Sequence, residues 1–321
     1  MSGAVLVSVV VPAFNEAAYL REALASALAQ THQVLEIIVI DDGSTDDTRA
    51  VCESFADPRV RYLYQSNDGT RGLGARNRAM LAASGDWIAL LDQDDRWHPD
   101  KIERQLALAA ANTAAGAVFT LVNFIDGSGQ FVRRQPDDAP QGEVFHQLLS
   151  HNRYYASSGM FKRSLLSVIG LPGESVGLAD WHLWLSIARH TPVLVVCEYL
   201  TDYREHVQGY TFALQKSLDR VACDVGRTLH GQRHRWHPGC RECRRTWQRS
   251  MRAVAELYLR HARAVLAGGS TAGVGASVLS AVQFAPGWVL RPWVVIREGW
   301  GLLRSGLAGL VARRGPRVRS G

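Results

Sequence analysis

No stretch of this 321-residue chain offers eighteen unbroken apolar residues, so an ordinary membrane-spanning helix is not expected. Basic residues are missing ahead of the first apolar run, Val5–Val11, which therefore reads as a strand rather than as the core of a secretion signal. Cysteine is scarce and odd in number, five residues; with no secretion signal expected, this points to a reducing cytoplasm. No Gly-x-Gly-x-x-Gly follows the first strand, which disfavours a dinucleotide enzyme. There is no internal repeat and no long low-complexity segment. Lysine is nearly absent, three of the 36 basic residues, and the arginine richness is read in part as codon usage. With 47% hydrophobic and 21% charged residues the chain has enough apolar content for a core, which excludes wholesale disorder. Its length allows one large or two modest domains.

The net charge of +6 conceals a division. Residues 1–203 carry 16 Lys and Arg against 24 Asp and Glu, a balance of −8, whereas residues 204–321 carry 20 against 6, a balance of +14. Acids gathered in a folded domain suggest metal ligation or a solvated surface, and a basic tail suggests anionic lipid, nucleic acid or an acidic partner.

The first 120 residues alternate strand-type and helix-type runs. Val5–Val11, Glu36–Ile40, Val60–Tyr64 and Trp87–Leu91 read as strands, and the apolar spacing over Tyr19–Leu28, Asp46–Phe55 and Leu73–Ala83 predicts helices. Ser44 or Thr45 is placed to cap the second helix, and Pro99 to open a fourth that runs to about Ala114. This alternation predicts an α/β fold with a mainly parallel sheet flanked by helices, and the nearly all-apolar strands predict cover on both faces. Ala117–Ile125 reads as a further strand before an Asp126-Gly127-Ser128-Gly129 turn, Arg133–Gly142 as a loop, and Trp181–Arg189 as a short helix. Strand patterning ends near residue 213, where a domain boundary is placed before a helical C-terminal extension, 214–321.

Ligands of open α/β sheets bind beyond the carboxyl ends of the strands. Three strands here run into polar chemistry: Pro12-Ala13-Phe14-Asn15-Glu16, Asp41-Asp42-Gly43-Ser44-Thr45-Asp46-Asp47, and Asp92-Gln93-Asp94-Asp95. Crowded carboxylates raise one another's pKa unless a cation joins them. Such oxygen ligands suit Mg or Mn, ions that also take oxygens from phosphates. The competing reading is helix capping, evenly balanced for Ser44–Asp47 and much weaker for Asp92–Asp95, where an apolar strand meets three acids.

The segments VSVVVPAFNE, VIDDGSTDDT, GARNRAM and GDWIALLDQDDRWHPDKI, in this order and spacing, resemble the family 2 glycosyltransferases of GT-A fold. The resemblance is close over residues 5–110 and looser to about 210. It implies a GT-A catalytic domain over 1–213, with a nucleotide-binding half over about 1–115 and an acceptor half over 116–213. It implies that Pro12, Ala13, Phe14 and Glu16 line the donor's nucleotide pocket, that Asp42 hydrogen-bonds the base, and that Arg76 approaches the diphosphate. It places Asp94 or Asp95 on a Mg or Mn ion, with neighbours such as Asp92 near the donor's ribose, and brings His206, in Tyr203-Arg204-Glu205-His206, toward the diphosphate or metal. A partly buried surface histidine is nearly as good a reading of His206. Gly177-Leu178-Ala179-Asp180-Trp181-His182-Leu183-Trp184 resembles the family's Glu-Asp motif, which makes Asp180 the general base. Ala179 departs from the usual Glu and puts the orientation of that base or the recognition of the acceptor in question; the rival reading of Asp180 is a cap for the following helix. Ser157-Ser158-Gly159-Met160 matches the acceptor-side strand loosely. One base without a second nucleophile implies inverting transfer from a nucleotide-diphosphate sugar to an acceptor hydroxyl on a saccharide, a lipid-linked saccharide or a polysaccharide precursor. The alternative is a non-catalytic nucleotide-sugar-binding scaffold whose tail engages partners, which Ala179 alone favours.

In the tail, His230, His234, His237, Cys240 and Cys243 admit a zinc knuckle or a basic helical hairpin with two thiols. No bound zinc is expected, because a second cysteine pair is missing. Trp293, Ile296, Trp300, Leu303, Leu307 and Leu310 form an apolar stripe beside Arg297 and Arg304. Two readings stand for it: an interfacial helix that holds the protein peripherally on the inner face of a membrane, or a helix packed on the catalytic domain. No nucleic-acid-binding motif accompanies the basic charge, so no nucleic-acid partner is expected.

Overall fold

The computed structural model describes residues 5–33, 35–67, 69, 72–149, 152–171, 179–206 and 240–267, with a few single positions beyond. The chain divides into two compact units, residues 1–209 and 210–321. In the first unit β1 (Val7–Ala13), α1 (Ala17–Leu28), β2 (Leu35–Asp42), α2 (Thr48–Ser54), β3 (Val60–Gln65), α3 (Leu73–Ala82) and β4 (Trp87–Leu90) alternate as the apolar runs predict. β5 (Arg96–Trp97) and α4 (Lys101–Ala111) follow, then the long β6 (Ala117–Asp126) and β7 (Phe131–Arg134). Two short helices, α5 (Phe145–Leu148) and α6 (Leu166–Ile169), flank β8 (Met160–Lys162); α7 (Ala179–Ala188) and β9 (Val193–Glu205) complete the unit.

Among the described residues nine strands form one sheet in the order β3-β2-β1-β4-β8-β6-β9-β5, with β7 paired on β6. β3, β2, β1 and β4 are parallel neighbours, and β6 runs parallel to β9. β8 joins these blocks by pairing antiparallel with both β4 and β6. The sheet is therefore mixed, its longest ladders parallel. β1, β2 and β4 are buried almost throughout because helices cover both faces, while the edge strand β3 is half exposed. Leu20, Ala23, Leu24 and Ala27 turn one face of α1 onto Val9, Val11, Ile37 and Val39 of the sheet's core.

α4 starts at Lys101 rather than Pro99 and buries Lys101, Ile102, Gln105 and Ala109. The Lys101 ammonium has no carboxylate partner among the described residues. It donates to Gln105 Oε1 at 2.8 Å and lies 4.2 Å from the centre of the Trp97 ring, and burial pushes its pKa well below the lysine range.

In the second unit Arg241–Ala267 forms one helix, α8, on which Met251, Val254, Ala255, Tyr258, Leu259 and Ala262 are buried at steps of three and four. No helix among the described residues is long and apolar enough to cross a membrane. Cys240 directly precedes α8 and Cys243 falls in its first turn; His230, His234, His237 and the stripe from Trp293 to Leu310 lie outside the described residues.

Candidate active site

The carboxyl ends of β1, β2 and β4 are neighbours because these strands are parallel and in register. Each apolar strand releases its chain into a polar loop at the same edge, and side chains stitch the loops together. Phe14 N donates to Gln93 Oε1 at 2.7 Å, and Gln93 Nε2 returns to Phe14 O at 3.0 Å and to Glu16 Oε2 at 2.8 Å. Asn15 adopts φ 50°, a left-handed conformation asparagine tolerates, and its Oδ1 accepts from Thr45 N at 2.8 Å while its own N donates to Ser44 Oγ. Ser44 and Thr45 thus tie β2's loop to β1's loop and do not cap α2. Asp46, just before the N-cap residue Asp47, closes a local turn: its Oδ1 accepts from Thr48 N and its Oδ2 from Ala17 N, and α2 begins at Thr48, two residues later than expected. Gly43 is required here, since φ is 83° and a Cβ would lie 2.7 Å from Asn67 N.

The expected donor-binding residues occupy this edge. Pro12 and Ala13 end β1, and Phe14 beyond them is 45% exposed. Asp42 is buried at the end of β2, with Gln65 Nε2 donating to it at 2.6 Å and Asn67 Nδ2 at 3.4 Å. Arg76, in the first turn of α3, pairs with Asp92 at 2.6 Å, and its buried Nε has no hydrogen-bond partner among the described residues.

Glu16, Asp94 and His206 converge. One ligand atom from each lies within 4.8 Å of the others, with His206 Nε2 3.0 Å from Asp94 Oδ2 and 3.8 Å from Glu16 Oε1. Burial and the neighbouring Asp94 raise the Glu16 carboxyl, and the hydrogen bond with Asp94 raises His206. Two half-buried carboxylates and an imidazole gathered within this distance form a donor set that fits a divalent cation such as Mg or Mn. Glu16 joins this cluster although the resemblance implied only a pocket-lining role for it. Asp95, expected beside Asp94 on the metal, lies outside it. It is 1% exposed and both its oxygens are engaged, Oδ2 by the Ser157 hydroxyl and Oδ1 by Arg204 N at 2.8 Å. Burial, then the Asp94 and Asp92 charges, push Asp95 well above the carboxylate range.

Asp180 lies in the first turn of α7, inside the helix rather than before it, and its Oδ2 accepts from Asn152 Nδ2 at 3.1 Å. Burial raises its pKa; Arg76 opposes that rise and is shared electrostatically between Asp180 and Asp92. The structure therefore brings Arg76, Asp92 and Asp180 into one electrostatic group beside the Glu16–Asp94–His206 cluster.

Three supporting residues were given no role of their own in the sequence reading, although Gln93 and Ser157 lie inside motifs quoted there. Gln93 lies between the two acids it serves, and its position inside Asp92-Gln93-Asp94 was the available signal. Asn152 orients Asp180 from a loop without any pattern. Ser157 is completely buried, accepts from Asp92 N at 2.9 Å, donates to Asp95, and receives Trp97 Nε1 on its carbonyl at 2.7 Å.

A family model described as Glycosyl transferase family 2 matches residues 8–170. The UDP-Glc:alpha-D-GlcNAc-diphosphoundecaprenol beta-1,3-glucosyltransferase WfgD of Escherichia coli is 32% identical over 204 residues, which cover 62% of this chain and 77% of WfgD. The chain spans between about a third and about three quarters of the length of the first curated relatives it matches. Among solved structures, Staphylococcus aureus TarS 1–349 in complex with UDP-GlcNAc superposes with TM-score 0.66 at 17% identity, covering 98% of this chain and 93% of that one. The mannosyltransferase PcManGT of Pyrobaculum calidifontis, in complex with GDP-Man and Mn2+, gives TM-score 0.60 at 20% identity, covering 97% and 87%. Both likenesses are of fold, and the mixed α/β sheet flanked by helices is the GT-A arrangement. The strand-end motifs, the fold and the family match agree: this chain belongs to glycosyl transferase family 2.

Proposed function

We propose that the protein is a glycosyltransferase that moves a sugar from a nucleotide-diphosphate sugar to a hydroxyl of a lipid-linked saccharide or polysaccharide precursor. The observation that carries this reading is the meeting of Glu16, Asp94 and His206 beside Arg76, Asp92 and Asp180 at one sheet edge. Residues 1–115 hold the nucleotide in this scheme and residues 116–213 the acceptor. Phe14 and the pocket walls at Pro12 and Ala13 take the nucleoside, Asp42 accepts from the base, and Arg76 offers cationic N–H groups to the diphosphate. Glu16, Asp94 and His206 hold a divalent cation, which when bound neutralises charge on the departing diphosphate.

Asp180 is the base. A carboxylate with a raised pKa is better matched to accepting a proton near neutral pH, and Asn152 fixes its direction. As the acceptor oxygen bonds to the anomeric carbon, the bond from that carbon to the diphosphate oxygen breaks. The hydroxyl proton passes to Asp180, and the electron pair leaves with the nucleoside diphosphate. Direct displacement inverts the anomeric carbon. The WfgD relative's name describes a diphosphoundecaprenol-linked acceptor, which supports the lipid-linked reading here. Such an acceptor favours a catalyst held at the inner face of a membrane, and the basic C-terminal region supplies the cationic surface for it.

Thermal-shift measurement against a panel of UDP- and GDP-sugars with Mn tests the donor class. Stabilisation by at least one nucleotide sugar, strengthened by Mn, is the expected result, by mass action on the folded state. A melting temperature unmoved by every member of the panel contradicts the reading.

A further inference from the structure

Arg204 carries an internal cation that no step above uses. Its side chain is 1% exposed, on β9 two residues before His206. Its guanidinium reaches four acceptors on three segments. Nε donates to the Asp94 carbonyl at 2.7 Å, Nη1 to the Gly127 and Asp126 carbonyls at 3.2 and 3.4 Å, and Nη2 to Glu22 Oε2 at 2.7 Å. Its backbone N donates to Asp95 Oδ1 at 2.8 Å. The Tyr19 ring lies 4.5 Å from the guanidinium carbon and 5.0 Å from the His206 ring, and Tyr19 Oη donates to the same Gly127 carbonyl.

The arrangement is costly if its purpose is packing alone. A buried guanidinium pays a desolvation penalty, and its single carboxylate partner among the described residues, Glu22, is 43% exposed and also shared with Arg96. An apolar side chain would fill the space without that penalty. What only arginine supplies is a rigid planar fork that holds several oxygens in fixed relation. Those oxygens belong to the backbone of Asp94, the turn after β6, and α1. That turn closes on the site: a Cβ at Gly127 would lie 3.5 Å from His206 Cβ.

We propose that Arg204 is a positioning residue for the cation site. It fixes the Asp94 backbone from one side and the chain leading to His206 from the other, so that both side chains meet Glu16 at ligand spacing. This rests on the reading of Glu16, Asp94 and His206 as cation ligands, and it adds the element that sets their distances. Lysine at 204 keeps the charge but offers one compact donor group in place of the fork.

The test is calorimetric titration of the full chain with UDP, in Mn and separately in chelator, for the wild type, Arg204→Lys, Glu22→Gln and His206→Ala. The expected result for Arg204→Lys is an affinity in Mn at least about tenfold weaker, with affinity in chelator unchanged. A purely structural role would lower the melting temperature and weaken UDP equally in both conditions. Unchanged Mn-dependent affinity in a folded Arg204→Lys protein overturns the proposal. If that variant does not fold, Glu22→Gln decides, because Glu22 lies on the rim: a Mn-specific loss of about threefold or more supports the role, and wild-type behaviour overturns it. His206→Ala separates the two levels. If wild type and His206→Ala bind UDP alike with and without Mn, the cation site itself is misassigned; if His206→Ala loses the Mn effect and Arg204→Lys keeps it, only the positioning role fails.

Discussion

Ser157→Ala removes one hydroxyl from a site with no solvent access, and two groups lose their partner at once. Asp92 N–H, 2.9 Å from Ser157 Oγ, loses its acceptor, and Asp95 Oδ2 loses its donor. Water cannot replace the hydroxyl without a cavity, because Ser157 is fully buried and the Trp97 indole bonds its carbonyl. A buried polar group left unsatisfied costs about 1–3 kcal/mol, and more when charged. The expected loss is therefore about 2–4 kcal/mol of stability, read as a fall in melting temperature of roughly 5–15 °C for a unit of this size. Denaturant unfolding followed by tryptophan fluorescence measures it. The loop bearing Asp92 and Asp94 should also loosen, so UDP affinity in Mn should fall in protein that is still folded. A stability loss under about 0.5 kcal/mol with unchanged UDP affinity would refute the claim that Ser157 ties Asp92 to Asp95.

Asp94→Ala should stay folded and lose Mn-dependent UDP binding in calorimetry. Asp95→Ala should instead lose about 2–4 kcal/mol of stability, because the Ser157 hydroxyl and Arg204 N–H lose a buried acceptor; the reverse pattern would return Asp95 to the metal. Glu36 accepts from Ser8 Oγ, Ser84 N and Ser84 Oγ and pairs with Arg61. Burial alone would raise its carboxyl, but these bonds outweigh burial and hold it at about 2, below its ordinary 4.5. Its contribution is therefore complete above about pH 4.5 and is lost as pH falls toward 2, so Glu36→Gln should flatten the loss of stability across that window; parallel curves for the two proteins would contradict this. A chain ending near residue 285 should co-sediment with anionic vesicles much less than the full chain does, and the full chain's binding should weaken as salt rises. A full chain that stays in the supernatant throughout removes the membrane from the account.

The parallel half of the sheet was legible because each strand is an unbroken apolar run ending in polar residues, and that pattern also locates the edge where ligands bind. The antiparallel half was not. β8 has three residues and β5 two, and their pairing comes from packing between β4, β6 and β9 rather than from local sequence. At the site, sequence gave residue types and left their partners open. Asp94 and Asp95 look alike in a run of acids, but a strand-end loop turns adjacent side chains in opposite directions, one toward Glu16 and His206 and one into the core against Ser157. Glu16 and His206 are 190 positions apart in the chain, so no spacing rule joins them; the approach of the loop after β1 to the residue that follows β9 does. Ser44 and Thr45 read as helix caps because Asn15, their actual partner, lies on another strand's loop.

The most direct test of the account is sugar transfer by Asp180→Asn. Asparagine keeps the size of the side chain and a hydrogen bond with Asn152 but cannot take the acceptor's proton. With a nucleotide sugar that stabilises the wild type and an undecaprenol-diphosphate-linked saccharide as acceptor, wild type should release nucleoside diphosphate and form glycosylated product. The variant should bind the donor as well as wild type does and turn over about 10²–10⁴-fold more slowly. Turnover within a few-fold of wild type would place the base elsewhere and contradict the central claim.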